Sequence, residues 1–159
     1  MVAADMAAAA DMAALPAERS AYAFFYTLRV RWAEVDKQDI VFNGHYLTYF
    51  DVAITEYWRA LGVPYPAVTE RWGSDLFVVK AGIEYHAPAL YDDVLDIGVK
   101  IARIGTSSIR FVIGIFRAEA CLIGGELIYV NADPVTRKPV RVADELRVLI
   151  SPGGGAKSA

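Results

Sequence analysis

The chain has 159 residues, enough for one domain with its own core, and at 55% hydrophobic and 22% charged its composition is globular rather than disordered. A formal charge of −3 gives no electrostatic reason to expect nucleic acid or an anionic membrane as partner. One cysteine, Cys121, excludes an internal disulfide and a cysteine-rich zinc site, two histidines, His45 and His86, are too few for a metal cluster, and a lone thiol suits a reducing cytoplasm.

Residues 1–20 are expected to form a flexible tail. The alanine-rich start carries Asp5 and Asp11 and no basic residue before Arg19, the wrong charge for a secretory leader or a transit peptide. Apolar runs elsewhere are broken by charge well short of membrane-spanning length.

Residues 22–32 alternate with period two, which means a strand. Tyr22, Phe24, Tyr26, Leu28, Val30 and Trp32 share one face; Ala23, Phe25, Thr27, Arg29 and Arg31 share the other. A loop carrying Asp36 follows. Asn43, a good N-cap type, and Gly44 then open a helix that reaches about Leu61 and stops at Gly62 and Pro64. Tyr46, Phe50, Ala53, Ile54, Tyr57, Ala60 and Leu61 form its apolar stripe. Tyr49, Val52 and Trp58 lie off that stripe, so the helix should be covered on most sides. Its first N–H groups have no partner within the helix, and its dipole puts partial positive charge there. That end can hold a developing oxyanion, and Asp36 brings a carboxylate to the same place.

Residues 63–74 read as a connection with a short helical turn over 68–72. Strands are expected over 76–86, 94–104, 108–118 and 121–132, an exposed turn over 133–139, and a terminal helix over 142–150. Gly124 and Gly125 mark a bulge or a close backbone approach. Residues 151–159, with three glycines in a row, should be a disordered tail. One domain over 21–150 results, an α+β layer with one long helix on one face of an antiparallel sheet. A single helix cannot cover both faces, so association through the sheet or its edge is expected.

The order of these elements resembles the hotdog fold, a curled antiparallel five- to six-stranded sheet wrapped around a long central helix. The residues carrying the likeness are Val30-Arg31-Trp32-Ala33-Glu34-Val35-Asp36, Asn43-Gly44-His45-Tyr46-Leu47-Thr48-Tyr49-Phe50-Asp51, Ile83-Glu84-Tyr85-His86-Ala87-Pro88-Ala89-Leu90-Tyr91-Asp92-Asp93-Val94-Leu95, Arg103-Ile104-Gly105-Thr106-Ser107-Ser108-Ile109-Arg110-Phe111 and Thr136-Arg137-Lys138-Pro139-Val140. More narrowly, the chain resembles the 4-hydroxybenzoyl-CoA thioesterase-like family of acyl-CoA thioesterases. The resemblance implies an acyl-CoA substrate, no cofactor, no metal, and a cytoplasmic homodimer or a tetramer of two dimers with active sites between subunits. It implies that Asp36 is nucleophile or general base. The backbone N–H of Asn43 or of its neighbour Gly44 would hold the carbonyl oxygen. Phe42, His45 and Tyr46 would line the acyl pocket; the CoA phosphates would be met weakly or by Arg103, Arg110, Arg137 or Lys138, because the family's basic run is missing here.

Three positions depart from the family pattern. Some members have histidine at the position of Asn43, and here the nearest imidazole, His45, is two residues later. Most have glycine at the position of Asp39, so a second acid stands near the first. The basic run that meets CoA phosphates in one branch falls on Gly105-Thr106-Ser107.

Plainer roles stand beside these. Asp36 could cap a turn or pair with Arg31, His45 and His86 could be structural, Glu34 and Asp39 solvated or paired, and Asp51 a buried partner for a backbone or arginine group. The aromatics Phe42, Tyr46, Tyr49, Phe50 and Tyr57 would suit an aryl acyl group, but aromatics also fill cores. The rival function is a non-catalytic acyl-CoA-binding or sensing module. A hotdog dehydratase is disfavoured because no histidine–acid pair stands at the spacing it would need.

Overall fold

Alternation along the strands and helical spacing between them give the element order β1 (Phe24–Arg29), α1 (His45–Ala60), α2 (Ala67–Trp72), β2 (Asp75–Tyr85), β3 (Val94–Ile104), β4 (Ser108–Arg117), β5 (Ala120–Ala132) and α3 (Asp144–Ile150). The structure, a computed structural model, describes residues 15–151. Of the tails expected over 1–20 and 151–159, residues 1–14 and 152–159 lie outside the described residues, whereas Leu15 packs on the outer sheet face, the Pro16 carbonyl accepts the Tyr22 hydroxyl and Arg19 pairs with Asp96.

The five strands form one antiparallel sheet in the order β1-β3-β4-β5-β2. It is open, with β1 and β2 at its two edges. Strands β3, β4 and β5 are a meander joined by short turns. Strand β2 arrives only after the long helix and takes the far edge beside β5.

Helix α1 lies against the inner face of this sheet. Phe50, Ala53, Ile54 and Tyr57 meet Phe24, Ile97, Phe111, Ile113 and Ile123, all buried. Tyr57 stands edge-on to Phe24 at 5.5 Å and to Phe111 at 6.1 Å. Each such side chain contributes about 1.5–3 kcal/mol by leaving water. Close approach of helix and sheet depends on Gly125: a Cβ there would lie 2.2 Å from the Phe50 ring. Helix α3 closes one end. Leu146 and Ile150 enter the core, and Arg147 donates to the Gly105 and Thr106 carbonyls.

Several details differ from the sequence reading. The first strand is shorter than the run 22–32. Tyr22 precedes it and joins Val112 and Phe116 on the outer face of the sheet, with Leu15, Phe25 and Cys121 against them. Trp32 falls in a 3-10 turn, Trp32–Glu34, and is 75% exposed, because alternation no longer holds once the chain leaves the ladder. Gly44, not Asn43, is the residue that caps α1, and no side chain caps it. Tyr49 and Trp58 are buried, but Leu47 and Val52 remain exposed, so one face of α1 is open in the single chain. Asp51 is on that open face and is not a buried partner.

Candidate active site

The site begins where β1 ends. After the turn Trp32–Glu34 the chain makes a narrow loop whose base is the bridge between Val35 and Val41. Inside it, the Asp36 N–H donates to the Ile40 carbonyl at 2.9 Å and the Asp39 N–H to the Asp36 carbonyl at 3.0 Å. Asp39 sits at φ 61, a left-handed conformation that glycine adopts freely and aspartate tolerates better than most residues. The acid therefore keeps the backbone shape that glycine would supply.

The Asp36 carboxylate accepts the Gln38 N–H through Oδ1 at 2.7 Å. Its Oδ2 has no hydrogen-bond partner among the described residues. Arg31, which the sequence offered as a partner, is engaged instead by Glu34.

The chain then turns into α1. The His45 N–H is taken by the Phe42 carbonyl at 2.9 Å, whereas the Asn43 and Gly44 N–H groups donate to no acceptor among the described residues. They stand at the electropositive end of a 16-residue helix. Two unspent donors at such an end can stabilise an oxyanion.

Asp36 and Asn43 line one cavity of about 380 Å³, together with Ile40, Tyr46, Tyr85 and His86. Helix α1 supplies Tyr46, whose ring stands edge-on to Tyr85 at 5.8 Å. The Tyr46 hydroxyl accepts the Ala89 N–H at 3.0 Å, and burial pushes its pKa up, so at neutral pH it keeps a proton to donate. Strand β2 supplies Tyr85, whose hydroxyl donates to the Asn43 carbonyl at 3.3 Å. The segment after β2 is fixed by the His86 and Ala87 N–H groups, both of which donate to the Leu122 carbonyl.

Of the residues singled out from sequence, the cavity thus gathers Asp36, Asn43 and Tyr46. Gly44, Phe42 and His45 adjoin it without lining it. Phe42 is half exposed and packs edge-on against His45 at 5.8 Å. Arg103 and Arg110 do not line it. Tyr85 on β2 lies across from Ile123, which lies across from Ile115; Arg110 is five positions further along β4, about 16 Å at 3.3 Å per residue. Arg110 is also engaged by Glu126 at 2.7 Å.

Tyr85 and His86 also line the cavity, although neither was among the candidate site residues. Nothing near Asp36 in the sequence points to them, because they reach the loop only through β2–β5 pairing. Two signals pointed to them: the end of a strand just before Ala87-Pro88, where side chains emerge from a sheet, and the stretch beginning at Ile83 that carries the family likeness.

Comparison with known proteins bears on this arrangement. The model of the thioesterase superfamily matches residues 38–121, beginning two residues past Asp36. Over 119 residues the chain is 33% identical to the acyl-CoA thioester hydrolase YbgC of Escherichia coli, covering 73% of this chain and 87% of that one. Among solved structures, a protein of Aquifex aeolicus superposes with a TM-score of 0.75 at 25% identity, covering 80% of this chain and 99% of that one. A 1,4-dihydroxy-2-naphthoyl-CoA thioesterase from Synechocystis superposes with a TM-score of 0.73 at 19% identity, covering 80% and 94%; at that identity the likeness concerns the fold alone. The antiparallel sheet packed on α1 is the hotdog fold of those structures, here with five strands and left open. On the matched stretch, on the relative's identity and on this architecture, the chain belongs to the thioesterase superfamily.

Proposed function

We propose that this chain hydrolyses an acyl-CoA thioester to a free acid and CoA, with Asp36 as nucleophile or general base. The observation that carries the reading is a single cavity lined by a carboxylate with an unspent oxygen, Asp36, and by Asn43 at the positive end of α1. A thioester carbonyl is electrophilic enough for a positioned carboxylate.

Two routes balance. In one, an Asp36 oxygen attacks the carbonyl carbon, the C–S bond breaks, CoA leaves as thiolate, and water then cleaves the mixed anhydride and returns the carboxylate. In the other, Asp36 takes a proton from water as the water oxygen attacks, and the proton passes to the departing sulfur. In both, the Asn43 and Gly44 N–H groups meet the carbonyl oxygen as negative charge develops on it. Tyr46 and Tyr85 give the cavity an aromatic wall suited to an aryl acyl group.

The family relationship supports acyl-CoA as the substrate class, and two chains working together would complete the site. Arg103 and Arg110 stand off the cavity, where they would meet the nucleotide end of CoA rather than the thioester.

The test is Asp36→Asn, assayed by thiol release from aryl-, short- and long-chain acyl-CoAs. Loss of turnover by about 10²–10⁴-fold is expected in a folded variant. Undiminished turnover would remove Asp36 from the chemistry. Tight acyl-CoA binding by the wild-type chain with no hydrolysis across the panel would make it a binding module instead.

A further inference from the structure

Glu34 is a carboxylate that the chemistry above does not use, yet it is only 4% exposed. Both of its oxygens are occupied. Oε1 accepts from the Arg31 guanidinium through Nε at 2.9 Å and through Nη2. Oε2 accepts the Arg31 backbone N–H at 2.7 Å and the Tyr49 hydroxyl at 2.8 Å. Tyr49 is buried in α1, one turn from Tyr46, and the two rings stand edge-on at 6.0 Å. The backbone carbonyl of Glu34 accepts the Phe42 N–H at 2.9 Å, one residue before Asn43. The next residue, Val35, closes the base of the Asp36 loop against Val41.

Glu34 therefore links the loop that carries Asp36 to the helix whose N-terminus the proposed chemistry needs. Its side chain holds the entry to the loop at Arg31 and the body of α1 at Tyr49. Its backbone holds the exit from the loop at Phe42, next to the helix end. Asp36 itself is fastened only by contacts inside its own loop. Without the Glu34 side chain, nothing polar among the described residues would tie the start of that loop to the helix it must face.

We propose that Glu34 is a positioning residue, fixing the Asp36 carboxylate at the distance from the α1 N–H groups that the reaction requires. A plain ion pair does not account for the arrangement. Arg31 is largely exposed, and sinking a carboxylate to meet it costs desolvation that an apolar side chain would avoid. What the buried carboxylate adds is direction: four donors from two elements converge on two oxygens. Burial pushes the Glu34 carboxyl up, but the Arg31 and Tyr49 hydrogen bonds outweigh it and hold it below the usual carboxylate range. It is thus ionised and accepting from all four donors at neutral pH.

This inference rests on the reading of Asp36 given above, and the experiment separates the two. Glu34→Gln keeps the shape but replaces one of the two accepting oxygens by an NH2 donor, which faces donors. Tyr49→Phe removes only the link to the helix and leaves Glu34 paired with Arg31, so it keeps the test open should Glu34→Gln fold poorly. Both are measured for kcat and KM separately, alone and combined with Asp36→Asn.

Expected are a fall in kcat of about 10–100-fold for Glu34→Gln and a smaller fall for Tyr49→Phe, with KM within about threefold of wild type. On the residual turnover of Asp36→Asn, neither change has further effect, because a misplaced carboxylate and an absent one are equivalent. The inference is overturned if Tyr49→Phe and a folded Glu34→Gln keep wild-type kcat. It is also overturned if their losses add in full to that of Asp36→Asn. Should Asp36→Asn itself turn over normally, the catalytic reading fails whatever Glu34 does.

Discussion

Asp39 shows how one residue can look chemical and be conformational. It stands three residues from Asp36, and on paper two acids so close invite a shared role. In the folded chain it holds φ 61 at the tip of the loop and does not line the cavity. Its part is to accept a backbone shape that most side chains resist by roughly 1–2 kcal/mol. Asp39→Gly is accordingly expected to fold, to melt within a few degrees of wild type, and to retain turnover. Asp39→Val is expected to lose about 1–2 kcal/mol in denaturant titration. Loss of turnover in a folded Asp39→Gly would show that the second carboxylate takes part in the chemistry. The same distinction governs what could be read of the site in advance. Asp36 was legible because a loop acid just before a long helix pairs two sequence-local features. The partner of Arg31 was not, because the choice between Glu34 and Asp36 depends on how tightly the 3-10 turn at Trp32–Glu34 winds. His86 and Tyr85 were not, because they arrive through pairing between strands far apart in sequence.

At the scale of the element, the helix and sheet are set by two opposing needs. Helix α1 must bury large aromatics, and the sheet must let it come close enough to do so. Gly125 on β5 resolves this by leaving room for Phe50, which is fully buried and has nowhere to retreat. A methyl group at that position would also come within 3.1 Å of the Gly82 carbonyl on β2. Gly125→Ala is expected to cost about 1–3 kcal/mol in urea unfolding, the range for overfilling a packed core. Adding Phe50→Leu should recover part of that loss, so that the two changes together cost less than their sum. Strict additivity would mean that the clash is not with Phe50. The sequence marked Gly124 and Gly125 as a bulge or close approach; the structure makes it a close approach, with the register of β4 and β5 running unbroken through both glycines. The long strands were legible to within one or two residues because alternation persists over their whole length. The first strand was not, because aromatic residues continue the period-two pattern past the ladder at both ends. Tyr22 and Trp32 therefore belong to the outer face and to a turn.

For the molecule as a whole, the question is where a second chain would dock. The outer sheet face was the first suspect, since one helix cannot cover two faces. Part of that face is sealed from within: Tyr22, Phe25 and Phe116 cover it, and Arg19 lies over the Phe25 ring at 4.4 Å while pairing with Asp96. The longer of the sheet's two edges is β2. This strand runs for 11 residues, twice the length of the other edge strand within a residue, and exposes Val78 and Val79 in its middle. A long edge with exposed valines is the kind of strand that soluble chains normally shorten, charge or cover. It leads at its C-terminal end straight to Tyr85 and His86 in the cavity, so a chain paired along it would lie beside the site. The chain is therefore expected to sediment as a dimer, or as a multiple of one. Replacing Val78 and Val79 with lysine puts two like charges from each copy into the seam and should shift the sedimenting species to monomer. Because the site is proposed to need the second chain, turnover should fall with the dimer fraction and return as protein concentration is raised. A wild-type chain that sediments as a monomer with full turnover at every concentration would show that one copy holds the whole site.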